Sequence, residues 1–174
     1  MCIRDRIRND VADSGIRVIT EGLKLYQACQ SKLGVPKWMT YVAEGYQYTG
    51  QHDQTLLLLD SAKAEMNNMG NEYFRAEWAR VRAESLSVIA QHDLRQSEEL
   101  FEKAISLSRS QRAKLFELTA TIGLARLQQC RGQGDVAISQ LRQVVSVFSG
   151  QASFAHLVVA KQLVKEIENQ QTSA

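Results

Sequence analysis

Ala43-Glu44-Gly45-Tyr46-Gln47-Tyr48-Thr49-Gly50-Gln51-His52-Asp53 returns in outline as Ala83-Glu84-Ser85-Leu86-Ser87-Val88-Ile89-Ala90-Gln91-His92-Asp93. Both stretches open on a small residue and close ten residues later, on Gln-His-Asp. A third runs from Ala125 to Gln133-Gly134-Asp135, so the alanines stand 40 and 42 residues apart. Further along, Ala62, Ala104 and Val144 repeat at 42 and 40. The two series place a two-residue insertion between Asp93 and Phe101. Self-similarity at a period near 40 marks a stacked helical array. The small residue on a first helix lets a second pack close, with Tyr46 and Leu59, Leu86 and Phe101, and Leu127 and Leu141 as bulky partners. Each Asp stands where a second helix should begin, its carboxylate available to the unpaired amides there.

Outward from these units the pattern stays helical. Pro36 is the single proline, placed where a first turn tolerates it, and apolar residues recur at three and four. Ile16, Ile19, Leu23 and Tyr26 mark one face of a helix expected to start near Asp13 or Ser14 and stop at Gly34. The predicted division is a leading half-repeat over 14–33, repeats over 36–68, 71–109 and 111–149, and a cap helix over 152–169. Within the repeats, helices are expected near 53–68, 71–91, 93–109, 111–131 and 134–149. The cap turns Phe154, Leu157, Leu163, Val164 and Ile167 inward and Lys161, Lys165 and Glu168 outward. The fold class is therefore all-α, a single domain over 7–174 forming a right-handed α-solenoid of about eight helices in stacked antiparallel pairs. Met1 to Arg6 fits no helical or strand pattern and reads as a non-native leader, and the half-repeat behind it suggests an array that continues upstream.

Composition narrows function by exclusion. The 21 basic and 19 acidic residues leave +2, too even for a nucleic-acid or membrane-surface protein. Apolar runs are too short to span a bilayer, and Cys2, Cys29 and Cys130 make no disulfide framework, which fits a reducing cytoplasm. The ten glycines form no phosphate-binding loop, and no nucleophile elbow, paired metal-ligand cysteines or His-Glu-x-x-His helix is present. No catalysis, cofactor or metal is expected. His52 and His92 read as polar turn residues, His156 as a partly exposed surface residue, and Cys29 and Cys130 as buried, unreactive thiols. Trp38, Trp78, Tyr46 and Phe101 read as packing between helices.

The register assigns the first-helix positions that face the concave side. They are Lys37, Thr40, Glu44 and Gln47; then Glu77, Arg80, Glu84 and Ser87; then Thr119, Ile122, Arg126 and Gln129. Such a face of mixed sign suits a peptide or protein segment carrying both charges, not a phosphate backbone, which needs a basic track. The candidate partner-binding set is Lys37, Glu44, Gln47, Glu77, Arg80, Glu84, Arg126 and Gln129.

Several strings carry a resemblance: Gly22-Leu23-Lys24-Leu25-Tyr26, Ala76 to Glu84, Ser97 to Ile105, Ser108 to Lys114, Glu117-Leu118 and Leu124-Ala125-Arg126-Leu127. Together they resemble tetratricopeptide repeats in their longer, maltose-regulator-like form. More narrowly they are similar to the C-terminal region of bacterial signalling ATPases, including those fused to class III adenylate or guanylate cyclases. The resemblance implies a non-catalytic protein-interaction and regulatory module, bound to a protein segment or to upstream domains of its own chain. ATPase or cyclase activity would lie upstream. It also implies an alternative, an inducer-sensing domain, for which Trp38, Tyr41, Tyr48 and Trp78 are the only candidate pocket lining.

Overall fold

The structure, a computed structural model, describes residues 3–29, 32–70, 72–90, 93–148 and 154–172, with side chains described from 14 to 171 within them. The expectations for Cys2, Gln91, His92 and the residues 149–151 lie outside this set. The elements are α1 (Ile3–Ala28), α2 (Val35–Tyr48), α3 (His52–Met69), α4 (Arg75–Ile89), α5 (Arg95–Ser110), α6 (Lys114–Cys130), α7 (Gly134–Ser146) and α8 (Ala155–Thr172). Among the described residues there is no strand. Each helix packs on the next, and α2 also meets α4, α4 meets α6, and α6 meets α8. No such contact joins α3 to α5 or α5 to α7 among the described residues. The even-numbered helices therefore form a continuous inner layer and the odd-numbered ones a spread outer layer. That difference in spacing curves the stack and makes the inner face concave.

The small-residue rule holds at every position. Ala43, Ala83 and Ala125 are completely buried, as are Ala62 and Ala104, and Val144 is nearly so. The outer helices bury one stripe at four-, three- and four-residue steps: Thr55, Leu59, Ala62 and Met66 on α3, then Ser97, Phe101, Ala104 and Ser108 on α5. This is the single apolar face of an amphipathic helix, covered by its inner partner. Cross-helix hydrogen bonds fix the register. Thr55 Oγ1 donates to the Ala43 carbonyl at 3.2 Å and Trp78 Nε1 donates to the Leu59 carbonyl at 2.7 Å. Lys63 and Arg82 flank the Trp78 ring.

The turns explain the insertion. Three residues separate α2 from α3 and α6 from α7, whereas five separate α4 from α5. In the short turns Gly50 (φ 78°) and Gly132 (φ 74°) take the left-handed conformation. The amides of Gln51 and Gln133 then reach back to the Tyr46 and Gln128 carbonyls at 2.8 and 2.9 Å, closing each helix with its last carbonyls satisfied. The middle unit has Ala90 at the equivalent place, with φ −103°, and needs the longer link.

Three expectations need correction. The helix α1 starts at Ile3, not near Asp13, so backbone of the presumed leader is helical, and it ends at Ala28 rather than Gly34. Asp53 and Asp135 do not cap: Gln51 and Gln133 hold those positions without side-chain bonds, whereas Asp93 does accept from an unpaired amide, that of Arg95 at the start of α5. Asp53 and Asp135 sit in the first turn, where a negative charge still favours the helix dipole. Asp93, one residue before the cap, accepts from the Arg95 side chain and also from the Arg95 backbone amide at 3.2 Å, which holds its carboxyl down to about 2. Finally, Cys29 and Cys130 are exposed, Cys29 just past the end of α1 and Cys130 at the last residue of α6.

Glu117, in the first turn of α6, is almost buried yet charged. Burial pushes its carboxyl up, but hydrogen bonds from Arg109 Nε (2.7 Å) and Lys114 Nζ (3.0 Å) outweigh that and hold it below its ordinary 4.5. A carboxyl lower in the folded than in the unfolded state stabilises fully above the unfolded value, and that contribution disappears as pH falls through the folded one. Glu117→Gln should therefore cost about 1 kcal/mol near neutral pH and nothing once both states are protonated. Urea melts of the two proteins across the acid range test this; a constant difference would refute it.

Candidate functional site

The concave face is built around Arg80. Its position on α4 carries the guanidinium between α2 and the rest of its own helix, with the residue only 5% exposed. Nη2 donates to Glu44 Oε1 on α2 at 2.6 Å and to Glu77 Oε2 at 2.8 Å. Nε donates to Glu77 Oε2 at 3.1 Å, and Nη1 donates to both oxygens of Glu84 at 3.0 Å. Burial alone would lower the guanidinium, but the Glu84, Glu77 and Glu44 carboxylates hold it well above the ordinary arginine range. One guanidinium against three carboxylates leaves a net charge of −2.

Neighbours extend this network along the inner layer. Gln47 Nε2 donates to Glu84 Oε2 at 2.8 Å, and from α6 Thr119 Oγ1 donates to Glu77 Oε1 at 3.2 Å. The Tyr48 hydroxyl lies 3.4 Å from Glu44 Oε1; burial around it and that carboxylate push it up to about 12. Five of the eight sequence-predicted positions, Glu44, Gln47, Glu77, Arg80 and Glu84, thus form one bonded cluster. They are not a simple solvated face, since Glu77 and Arg80 are buried.

The other three are dispersed. Arg126 lines the same groove on α6, exposed and without an ion-pair partner among the described residues. Gln129 donates to Gln170 of α8 and so staples the last two inner helices. Lys37 lies outside the groove, its ammonium 4.9 to 5.7 Å from the Trp38, Phe74 and Tyr41 rings.

Between the Arg80 cluster and Arg126 the inner layer encloses a groove of about 540 Å³. Its floor is apolar: Val88, Leu94, Phe101, Ile122, Leu127 and Val159. Sequence register missed most of this floor because it marked only first-helix positions, all polar except Ile122. Phe101 comes from an outer helix and Leu94 from a connection, while Val88 and Val159 were not assigned to the face. Ile122 was assigned to it, and His156, expected at the surface, also borders the groove. The aromatic set proposed for a small-molecule pocket does not converge. Trp78 is buried in packing, Trp38 and Tyr41 stack edge to face beside Lys37, and only Tyr48 reaches the groove. Among the described residues no group of His, Cys, Asp and Glu could hold a metal ion, and no helix is long and apolar enough to cross a membrane.

No family model and no curated protein matches the chain. Solved structures do. A crystal structure of nearly identical TPR-like repeats from a Podosopora anserina protein assigned as a kinesin light chain superimposes with a TM-score of 0.59 at 18% identity, covering 98% of this chain and 89% of the other. A singly substituted form of that protein gives 0.61 at 17% identity with the same coverage. At such identity the likeness speaks for the fold. The chain has the architecture of TPR-like helical repeats, an all-α solenoid.

Proposed function

We propose that the chain is a non-catalytic protein-interaction module that receives a segment of a partner in its concave groove. One observation carries the reading: apolar side chains stand uncovered in a groove that charged residues also line, with Val88 49% and Val159 36% exposed. Apolar side chains left uncovered in a preformed groove gain by burial against a ligand, and charged rims set which ligand fits. The resemblance carried by the repeat strings supports a wider setting. There the module is the cytoplasmic C-terminal regulatory arm of a bacterial ATPase, with or without a nucleotide cyclase, and engagement of the groove shifts the upstream switch.

Selection of displayed peptides against the purified chain tests the binding reading. Enriched peptides are expected to lose at least about tenfold in affinity to a Val88→Asp, Val159→Asp variant whose melting temperature is unchanged, because a buried carboxylate opposes apolar contact. Failure to enrich any peptide, or binding indifferent to the two substitutions, would overturn it.

A further inference from the structure

The residue that follows the small alanine of each unit occupies one register position on the concave face: Glu44, Glu84 and Arg126. Its sign reverses between the second unit and the third. Around Glu44 and Glu84 the groove wall is the face of the Arg80 cluster, whose net charge is −2 with Glu77 buried behind it. On the α6 and α8 side stand Arg126, unpaired among the described residues, and His156. Because α2, α4, α6 and α8 touch only in series, the groove passes from the carboxylates of α2 and α4 to Arg126 of α6, over an apolar lining that includes Leu94, Phe101 and Ile122.

From this polarity we infer that the groove's occupant is an extended segment of another protein with a basic side chain at one end, apolar side chains in the middle and an acidic side chain at the other. The inference rests on the binding role proposed above and adds the charge order of the ligand. The acidic side is pre-formed: Arg80 clamps Glu44 and Glu84, so they present negative charge without being reorganised when an ammonium or guanidinium arrives. The basic end is a single exposed guanidinium suited to a carboxylate. A uniformly acidic segment would meet the −2 cluster, and a uniformly basic one would meet Arg126. Each carries one like-charge contact that the mixed segment avoids.

Three synthetic peptides with the same Leu-Ile-Leu centre decide it, one flanked by Lys and Glu, one by Lys at both ends and one by Glu at both ends. Fluorescence anisotropy at low ionic strength should rank the mixed peptide first by about fivefold, an advantage that shrinks with added salt. Arg126→Glu, at an exposed position without an ion-pair partner, leaves the fold intact and should move the preference to the doubly basic peptide. If all three bind alike, or Arg126→Glu leaves their order unchanged, the charge order is wrong while groove binding stands. If none binds the native groove, both readings fall.

Discussion

Arg80→Met will lower folding stability by about 3–5 kcal/mol, the usual cost of removing one partner from a buried ionic cluster. For a chain of this length that is a fall of about 10 °C in Tm. The loss does not come from hydrophobic area, since Met fills much of the same space. It comes from Glu77, which is 5% exposed and, among the described residues, keeps only the Thr119 hydroxyl as a donor once the guanidinium is gone. Glu44 and Glu84, with side chains 22% and 23% exposed, can turn to water and contribute less. Two controls separate this from general disruption. Arg80→Met combined with Glu77→Leu removes both buried charges and should recover most of the loss, since apolar replacement of a buried pair is often neutral or better. Lowering the pH should also narrow the gap between Arg80→Met and the native protein. An unpaired buried carboxyl titrates higher in the folded than in the unfolded state, so protonation relieves the variant. Thermal melts of the three proteins at neutral and acid pH check both; a double variant no better than the single would show the charge argument to be wrong.

Phe101 and Gly123 should show the strongest coupling in the molecule. The Phe101 ring is 2% exposed, and a Cβ built on Gly123 would overlap its Cε1 and stand 2.7 Å from its Cζ. Phe101→Ala is expected to cost about 3–5 kcal/mol through lost burial and the cavity left behind. Gly123→Ala alone forces the ring aside for about 1–3 kcal/mol, which outweighs the helix propensity gained. With the ring already gone the clash vanishes. Gly123→Ala in the Phe101→Ala background should then stabilise, by up to about 1 kcal/mol from propensity alone. Urea denaturation of the four proteins closes the cycle, and additive costs would mean that the two residues do not share the contact the geometry gives them.

Most of the architecture was legible because repetition does the work that an alignment would otherwise do. Ala43, Ala83 and Ala125 mark each other, and the two-residue offset of the Asp93 unit appears in the structure as the longer α4–α5 link. Helix ends were less legible. An Asp at the start of a pattern is as favourable in a first turn as at a cap, and spacing does not separate the two. The exposure of Cys29 and Cys130 was missed because periodicity names a face but not whether anything covers it. The candidate site divided along the same line. Glu44, Glu84 and Arg126, which register assigned to one face, line one groove, but burial of Glu77 and Arg80 depends on how closely α2, α4 and α6 approach. That closeness is set by side chains far apart in the chain.

The inner helix α6 belongs to two cores at once. Ala120, Leu124 and Leu127 join the apolar cluster that includes α2 to α5, whereas Leu118, Ile122 and Ala125 join the one shared with α7 and α8. In time, rather than in space, this makes α6 the seam of the molecule. The last two helices can detach as a unit while the first core persists, at a free energy below that of global unfolding. Their amides then exchange with solvent sooner than those of α4 and α5. Detachment also removes α8 and its Val159 and His156 from the groove. A ligand that touches both α4 and α8 therefore slows this opening, and its residence is reported by the exchange rate of helices that mostly lie outside the site.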